Sequence, residues 1–209
     1  MNEIIENFIQ MICTAICTLI CVRRVKETGD HAWIMLGLSS FVYFLGDLYW
    51  QLYMMFYGES PYYSYVPYLG WYAGYFFLIL MLIEIRGERV LRSGKKILWL
   101  IPVFTTGMCI FYLQWGDIVG NIVSVLLMTP LIWIPAEGLL LVHEGLTDRN
   151  ENKYIYLAVL FFCAAEYSSW TASCYMDNET ITNVYFMFDT LISVSFLLLP
   201  PALKKAVRV

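Results

Sequence analysis

Charge is what this chain has least of. Asp, Glu, Lys and Arg make up 14% of its 209 residues, against about 25% in soluble domains. So few charges cannot keep a globular surface wet, which argues against a soluble domain. Histidine is almost missing. His31 and His143 are the whole supply, and both fall at the ends of apolar runs, so no zinc hydrolase constellation can form within them. The last apolar run has no lysine, which excludes a retinal held there as a Schiff base. No P-loop and no dinucleotide-binding glycine pattern occurs. Neither cofactor nor metal is expected, and no nucleic-acid partner. The six cysteines form no disulfide framework. Cys13, Cys17 and Cys21 recur every fourth residue, as small residues at a helix contact do. Cys174 stands alone.

Apolar residues fill the space that charge leaves. The chain is 60% hydrophobic and 17% aromatic, with a mean hydropathy of +0.63. A membrane span needs roughly 20 mostly apolar residues. Seven stretches qualify, at about 4–22, 32–57, 66–84, 97–114, 118–142, 153–175 and 181–203. The expected fold class is therefore all-α, a single polytopic domain of seven transmembrane helices over residues 1–209. The start, MNEIIENFIQ, lacks the basic segment and cleavage site of a signal peptide, so the first helix is expected to be retained.

Basic residues decide the orientation. Arg23, Arg24 and Lys26 follow the first span. Arg86, Arg89, Arg92, Lys95 and Lys96 follow the third, Arg149 and Lys153 the fifth, and Lys204, Lys205 and Arg208 the seventh. These four groups hold all 13 lysines and arginines. The alternate loops carry Glu59, Asp117, Asp177 and Glu179 instead. Basic residues concentrate on the cytoplasmic side, so the N-terminus is expected outside and the C-terminus inside a plasma (inner) membrane. The lipid bilayer is the first partner. Trp33, Trp71, Trp99 and Trp115 lie near span ends, where interfacial anchors sit. Trp50 and Trp133 lie deeper.

In FLGDLYWQLYMMFYGESPYY, residues 44–63, a single aspartate interrupts an aromatic and aliphatic run. It is one of four acids well inside the spans: Asp47, Glu137, Glu166 and Asp189. Apart from Lys153 at the first position of the sixth, no Lys, Arg or His lies inside any of the expected spans. Charge at mid-bilayer costs about 2.5–3.5 kcal/mol on insertion scales, so such residues face the bundle interior or a wet cavity. At 1.5 Å per residue, Asp47, Glu166 and Asp189 fall in the middle-to-outer part of the membrane. Helical spacing groups Ser40, Tyr43, Asp47, Trp50 and Gln51 on one face. It also groups Cys163, Glu166, Ser169, Trp170 and Ser173, and Thr182, Tyr185, Asp189 and Ser193. Tyr68, Trp71, Tyr72 and Tyr75 line the third helix.

Turned inward, these faces make an acidic, aromatic cavity open to the outside. Asp47, Glu166, Asp189, Trp50, Tyr43, Tyr75, Trp170 and Tyr185 are the expected ligand-binding residues. The acids supply countercharge and the rings attract cations. Hydrogen-bonded structural glue is the competing role for the same side chains. In the fifth helix Pro130 and Pro135 bracket Trp133, with Glu137 on the next turn. A proline frees a carbonyl and kinks a helix, so Pro130, Pro135 and Glu137 form either a fixed bend or a hinge.

Residues 46–82 resemble the multi-helix membrane sensor regions that precede diguanylate cyclase or histidine kinase domains in bacteria and archaea. The resemblance rests on Gly46, Asp47, Trp50, Gly58, Pro61, Trp71, Gly74 and Tyr75, a G-D-x-x-W helix running through a short G-x-x-P loop into a helix with spaced aromatics. Where that family tends to carry an acid early in the second helix, this chain has Tyr68. The resemblance implies a sensor that binds a small-molecule ligand. Since the sequence ends at KKAVRV, it would signal through a separate cytoplasmic partner or be a detached domain. A second resemblance, to small bacterial lysoplasmalogenase-type membrane proteins, rests on Ser40 and Asp47 with Asp189 as a further acid, and implies general acid chemistry on a lipid. A small transporter built from two three-helix units is the remaining alternative.

Overall fold

The computed structural model describes residues 2–58, 65–87, 94–146, 150–175 and 183–207. Glu59, Pro61, Arg89, Arg92, Arg149, Asp177, Glu179, Thr182 and Arg208, used above, lie outside the described residues. Among those described there is no strand, and seven helices are long and apolar enough to cross a membrane. They are α1 (Asn2–Thr28), α2 (His31–Tyr57), α3 (Tyr65–Arg86), α4 (Leu100–Tyr112), α5 (Ile118–His143), α6 (Lys153–Ser173) and α7 (Val184–Ala206). A 3-10 turn precedes α4 at Lys96–Trp99 and another follows it at Leu113–Trp115, and only with both does the fourth span reach its full length, Lys96–Trp115. The seven spans expected from apolar length therefore appear in order, each within a few residues.

Local chemistry sets the helix ends. The Asp30 side chain accepts from the Ala32 N–H at 2.8 Å and caps α2. Asp117 does the same for α5 through the Gly120 N–H at 3.0 Å, and Asn183 for α7 through the Tyr185 N–H at 3.0 Å. Each oxygen satisfies a donor that the helix itself leaves unpaired. Gly58 closes α2 in the left-handed conformation, φ 72°, which costs glycine nothing.

Helices consecutive in the chain pack as neighbours, except that α3 packs against α5 rather than α4, and α1 closes the ring against α7. Side-chain contacts give their directions. Thr18 meets Ser40 across α1 and α2, 2.9 Å apart, and Thr105 meets Thr129 across α4 and α5, 2.7 Å apart. Both pairs are antiparallel. Helix α4 sits outside the ring, with 17% of its apolar window buried against 61% for α6. The faces turned outward carry large apolar side chains, among them Phe56 at 79% exposure and Leu69 at 71%. Such a surface suits lipid tails and not water.

The tightest contact joins α2 to α3. Gly70 and Gly74 lie one turn apart, the small-xxx-small spacing that lets helix backbones touch. A Cβ at Gly70 would sit 2.8 Å from the Val42 carbonyl oxygen and 3.1 Å from Gly46 Cα. The Ser39 hydroxyl donates to the Gly74 carbonyl at 2.9 Å across this contact. Similarly, Gly37 gives room to Cys21, since an added Cβ would lie 3.1 Å from the Cys21 Cβ. Cys17 and Cys21 are fully buried.

Three expectations need correction here. Arg86, read as a loop residue, is the last residue of α3, and its guanidinium meets Glu137 at 2.7 Å. Glu137 therefore has a basic partner within the helices, and it ties α3 to α5. Trp33 is 2% exposed, so it is a core residue and no interfacial anchor. Trp71 likewise points inward, whereas Trp99, 67% exposed, keeps the interfacial position. Pro130 and Pro135 lie within the unbroken helix α5.

Two outcomes follow. Gly70→Ala forces methyl against backbone and should cost about 1–3 kcal/mol, read as a lower melting temperature in detergent. Gly107→Ala, where nothing lies within 4 Å, should leave it unchanged. Glu137→Ala removes one partner of a buried ion pair and should cost about 3–5 kcal/mol. The double variant Glu137→Ala with Arg86→Met should recover part of that loss.

Candidate functional site

At the end of the bundle where α1 begins lies a cavity of about 390 Å³. Its deep wall is built by Tyr43 of α2, Tyr75 of α3, Glu166 of α6 and Ile192 of α7. Toward the mouth come Asn7 of α1, Tyr68 of α3, Trp115 after α4, Asp117 before α5 and Ser173 of α6. All seven helices contribute, α4 through Tyr112, α5 through Ser124, and α2 again through Trp50.

The floor is closed. Leu36 of α2, Leu78 and Leu82 of α3, Met128 and Leu131 of α5 and Leu199 of α7 are all 0% exposed. Each lies one or two turns below a cavity residue on the same helix. Close-packed aliphatic side chains leave no room for water, so the polar chamber stops at this layer.

Hydrogen bonds hold the deep wall. The Tyr43 hydroxyl donates to Glu166 Oε1 at 2.7 Å, and the Tyr75 hydroxyl belongs to the same hydrogen-bonded group. A ring cluster supports the two tyrosines from below, with Tyr43 and Phe196 centroids 4.9 Å apart and Tyr75 and Phe162 5.8 Å apart. An aromatic wall rises from there. Tyr72 and Tyr75 lie 6.2 Å apart, Tyr68 and Trp71 5.5 Å, Trp50 and Trp71 6.1 Å, and Tyr75 and Trp170 6.4 Å. Tyr72 is fixed to the next helix by donating to the Gly120 carbonyl at 3.2 Å. Tyr112 is fixed likewise, through the Tyr167 carbonyl at 3.2 Å.

Of the eight residues expected to bind ligand, Tyr43, Trp50, Tyr75, Glu166, Trp170, Tyr185 and Asp189 line this cavity. Asp47 does not. It is 1% exposed and sits behind Trp71, whose indole N–H donates to Asp47 Oδ1 at 2.9 Å. The cause is the close α2–α3 contact, which lays the Trp71 ring across the carboxyl group. Pro130, Pro135 and Glu137 are absent from the lining.

Glu6 was missed in the sequence. It stands close to the start of α1, where an acid reads as a solvated end. In the fold it is 6% exposed and lines the cavity together with Asp189 of α7. Gln10, one turn on and 4% exposed, joins it on the wall. The signal was present in the spacing, since Glu6, Gln10, Thr14 and Cys17 share one face of α1.

The wall therefore carries four acids, Glu6, Asp117, Glu166 and Asp189, and no Lys, Arg or His among the described residues. A site of this kind attracts positive charge. Its carboxylates supply countercharge and its ring faces add cation–π attraction. Tyrosine hydroxyls and Ser169 add hydrogen bonding. No group of three or more His, Cys, Asp or Glu within metal-binding reach occurs among the described residues. No known protein family, curated protein or solved structure matches this chain.

Tyr43→Phe deletes the donor to a buried carboxyl oxygen. It should lower stability by about 1.5–3 kcal/mol, checked by thermal unfolding. Tyr53→Phe, which lies on the same helix outside the cavity lining, should leave stability unchanged.

Proposed function

We propose that this chain is a receptor-like module of the plasma membrane, binding a small organic cation or cationic amphiphile in the acidic, aromatic cavity. One observation carries the reading: four acids and no basic residue among the described lining of a chamber walled by tyrosine and tryptophan. Its volume of about 390 Å³ suits a small molecule, such sites spanning about 300–1,000 Å³.

The distribution of charge supports an outward-facing mouth. Arg23, Arg24 and Lys26 end α1, Arg86 ends α3, Lys95 and Lys96 precede α4, Lys153 begins α6, and Lys204 and Lys205 end α7. All lie at the end away from the cavity, and basic ends stay in the cytoplasm. The aliphatic floor favours binding over passage, since a transporter must open that layer. Occupancy would be reported through the helices to the basic end, where Glu137 with Arg86 and Lys95 with Glu144 join helices α3, α4 and α5. A separate cytoplasmic signalling protein would read it there.

The test is the melting temperature of the purified protein in detergent with tetramethylammonium, spermidine, calcium and a lysophospholipid. A bound organic cation at 100 times its Kd should add about 2.7 kcal/mol. Glu166→Gln should abolish that gain while still folding. Stabilisation by the lysophospholipid together with its hydrolysis would replace this reading with a lipid-acting enzyme. Uptake of labelled cation into sealed vesicles would replace it with a transporter. Indifference to every compound would leave the acids as structural hydrogen-bonding groups.

A further inference from the structure

The basic end of the bundle holds an arrangement that the cavity does not use. Tyr154 on the first turn of α6 and Lys205 on the last turn of α7 meet across the two helices, with Lys205 Nζ 3.8 Å from the centre of the Tyr154 ring. Lys153 Nζ lies 5.2 Å from the same ring centre. A ring face attracts an ammonium group, and here it draws two like charges toward one point. Neither lysine forms a salt bridge among the described residues, and both are exposed, with exposed Lys204 beside them. Elsewhere at this end Lys95 is matched by Glu144 and Arg86 by Glu137. The charge gathered at Tyr154 is one that an anion from outside the chain would neutralise.

The surrounding surface selects the anion. Helix α6 starts here and α7 ends here, and the two pack together. From Tyr154 the exposed side chains of α6 continue through Leu157 to Phe161, and from Lys205 those of α7 continue through Pro201 to Leu198. Steps of three and four residues make each set a single stripe. The contact of Lys205 with Tyr154 brings both stripes to the outside of the bundle, side by side. At 1.5 Å per residue each runs roughly 10 Å away from the charge. A free phosphate or an acidic protein segment would use the charge and leave the apolar stripes bare. A phospholipid uses both, its phosphate taking the ammonium groups and an acyl chain lying along the stripes. Lysine stems are flexible, so Lys153 and Lys205 can both turn to one phosphate group. Tyr154, at a helix end, stands where tyrosine suits the interface between membrane and water.

We propose that Lys153, Tyr154 and Lys205 form a binding site for an anionic phospholipid, with the headgroup phosphate between the two lysines and an acyl chain along Leu157, Phe161 and Leu198. Basic pockets between membrane helices bind acidic lipid headgroups by this chemistry. The lipid clamps the start of α6 to the end of α7. Glu166 is roughly 18 Å further along α6, so the site is separate from the cavity and stands with or without a ligand there.

The experiment titrates the purified full chain, in a neutral detergent, with phosphatidylglycerol and in parallel with phosphatidylcholine and glycerol 3-phosphate. Melting temperature is read together with the lipid retained in native mass spectrometry. Phosphatidylglycerol should raise the melting temperature and leave a single retained lipid, and phosphatidylcholine should do neither. Lys153→Gln and Lys205→Gln should each weaken the apparent affinity for phosphatidylglycerol about fivefold, the usual effect of one lysine near an anionic headgroup. Lys205→Arg keeps the charge and the ring contact and should bind as wild type does. Lys26→Gln removes an exposed lysine from the basic end of α1 and should also bind as wild type does. Equal weakening by Lys26→Gln would reduce the effect to the general attraction of a basic end and overturn the site. Equal stabilisation by phosphatidylcholine would overturn it too, as would the same gain from glycerol 3-phosphate without lipid.

Discussion

The cavity depends on the contact between α2 and α3. Gly70 lets the two backbones approach until a methyl group no longer fits between them. At that separation the Ser39 hydroxyl reaches the Gly74 carbonyl and the Trp71 indole reaches Asp47. Tyr43 and Tyr75 come side by side, 6.3 Å between centroids, and both turn their hydroxyls to Glu166. A larger residue at Gly70 would move α3 outward and take with it four of the aromatic rings of the wall. Backbone proximity is also what a bilayer-spanning bundle has to work with, because lipid tails are as apolar as the core and drive no association by themselves.

The buried acids divide by what answers their charge. Glu137 meets an arginine at the basic end and becomes a strut between α3 and α5. Glu166 is met by tyrosine hydroxyls and faces the chamber. Asp117 spends its oxygen on capping α5. Asp47 is met by the Trp71 indole behind the wall, while Glu6 and Asp189 line the chamber. The same residue type thus serves packing at one end of the molecule and chemistry at the other. What separates the two roles is the reach of the basic side chains, which extend only one or two turns from the basic end.

Much of this was legible in the chain. Apolar length alone marked seven helices, and the grouping of lysine and arginine marked one end of the bundle. Spacing placed Tyr43, Glu166, Trp170, Tyr185 and Asp189 on inward faces, because a helix shows residues three and four apart on one side. Depth was read less well than direction. Asp47 has the right face and height for the wall, yet Trp71 from the neighbouring helix lies in front of it. Trp33 and Trp71 stand where interfacial anchors stand in a linear sequence, and both turn inward. Glu6 was passed over because position along the chain does not say whether a helix end is wrapped by its neighbours.

The sequence by itself determined the number and order of the helices, the gathering of basic residues at one end and the inward faces of α2, α3, α6 and α7. These depend on local regularities: the length of an apolar run, the helical repeat and the charge of each loop. Only the tertiary structure decided which acids meet which partners. That choice turns on how near one helix lies to another, and glycines far apart in the chain set that distance. The covering of Asp47 by Trp71, the gathering of Glu6 and Asp189 on one cavity wall and the pairing of Glu137 with Arg86 all arise between helices. Each depends on separations of a few ångströms that no single helix contains.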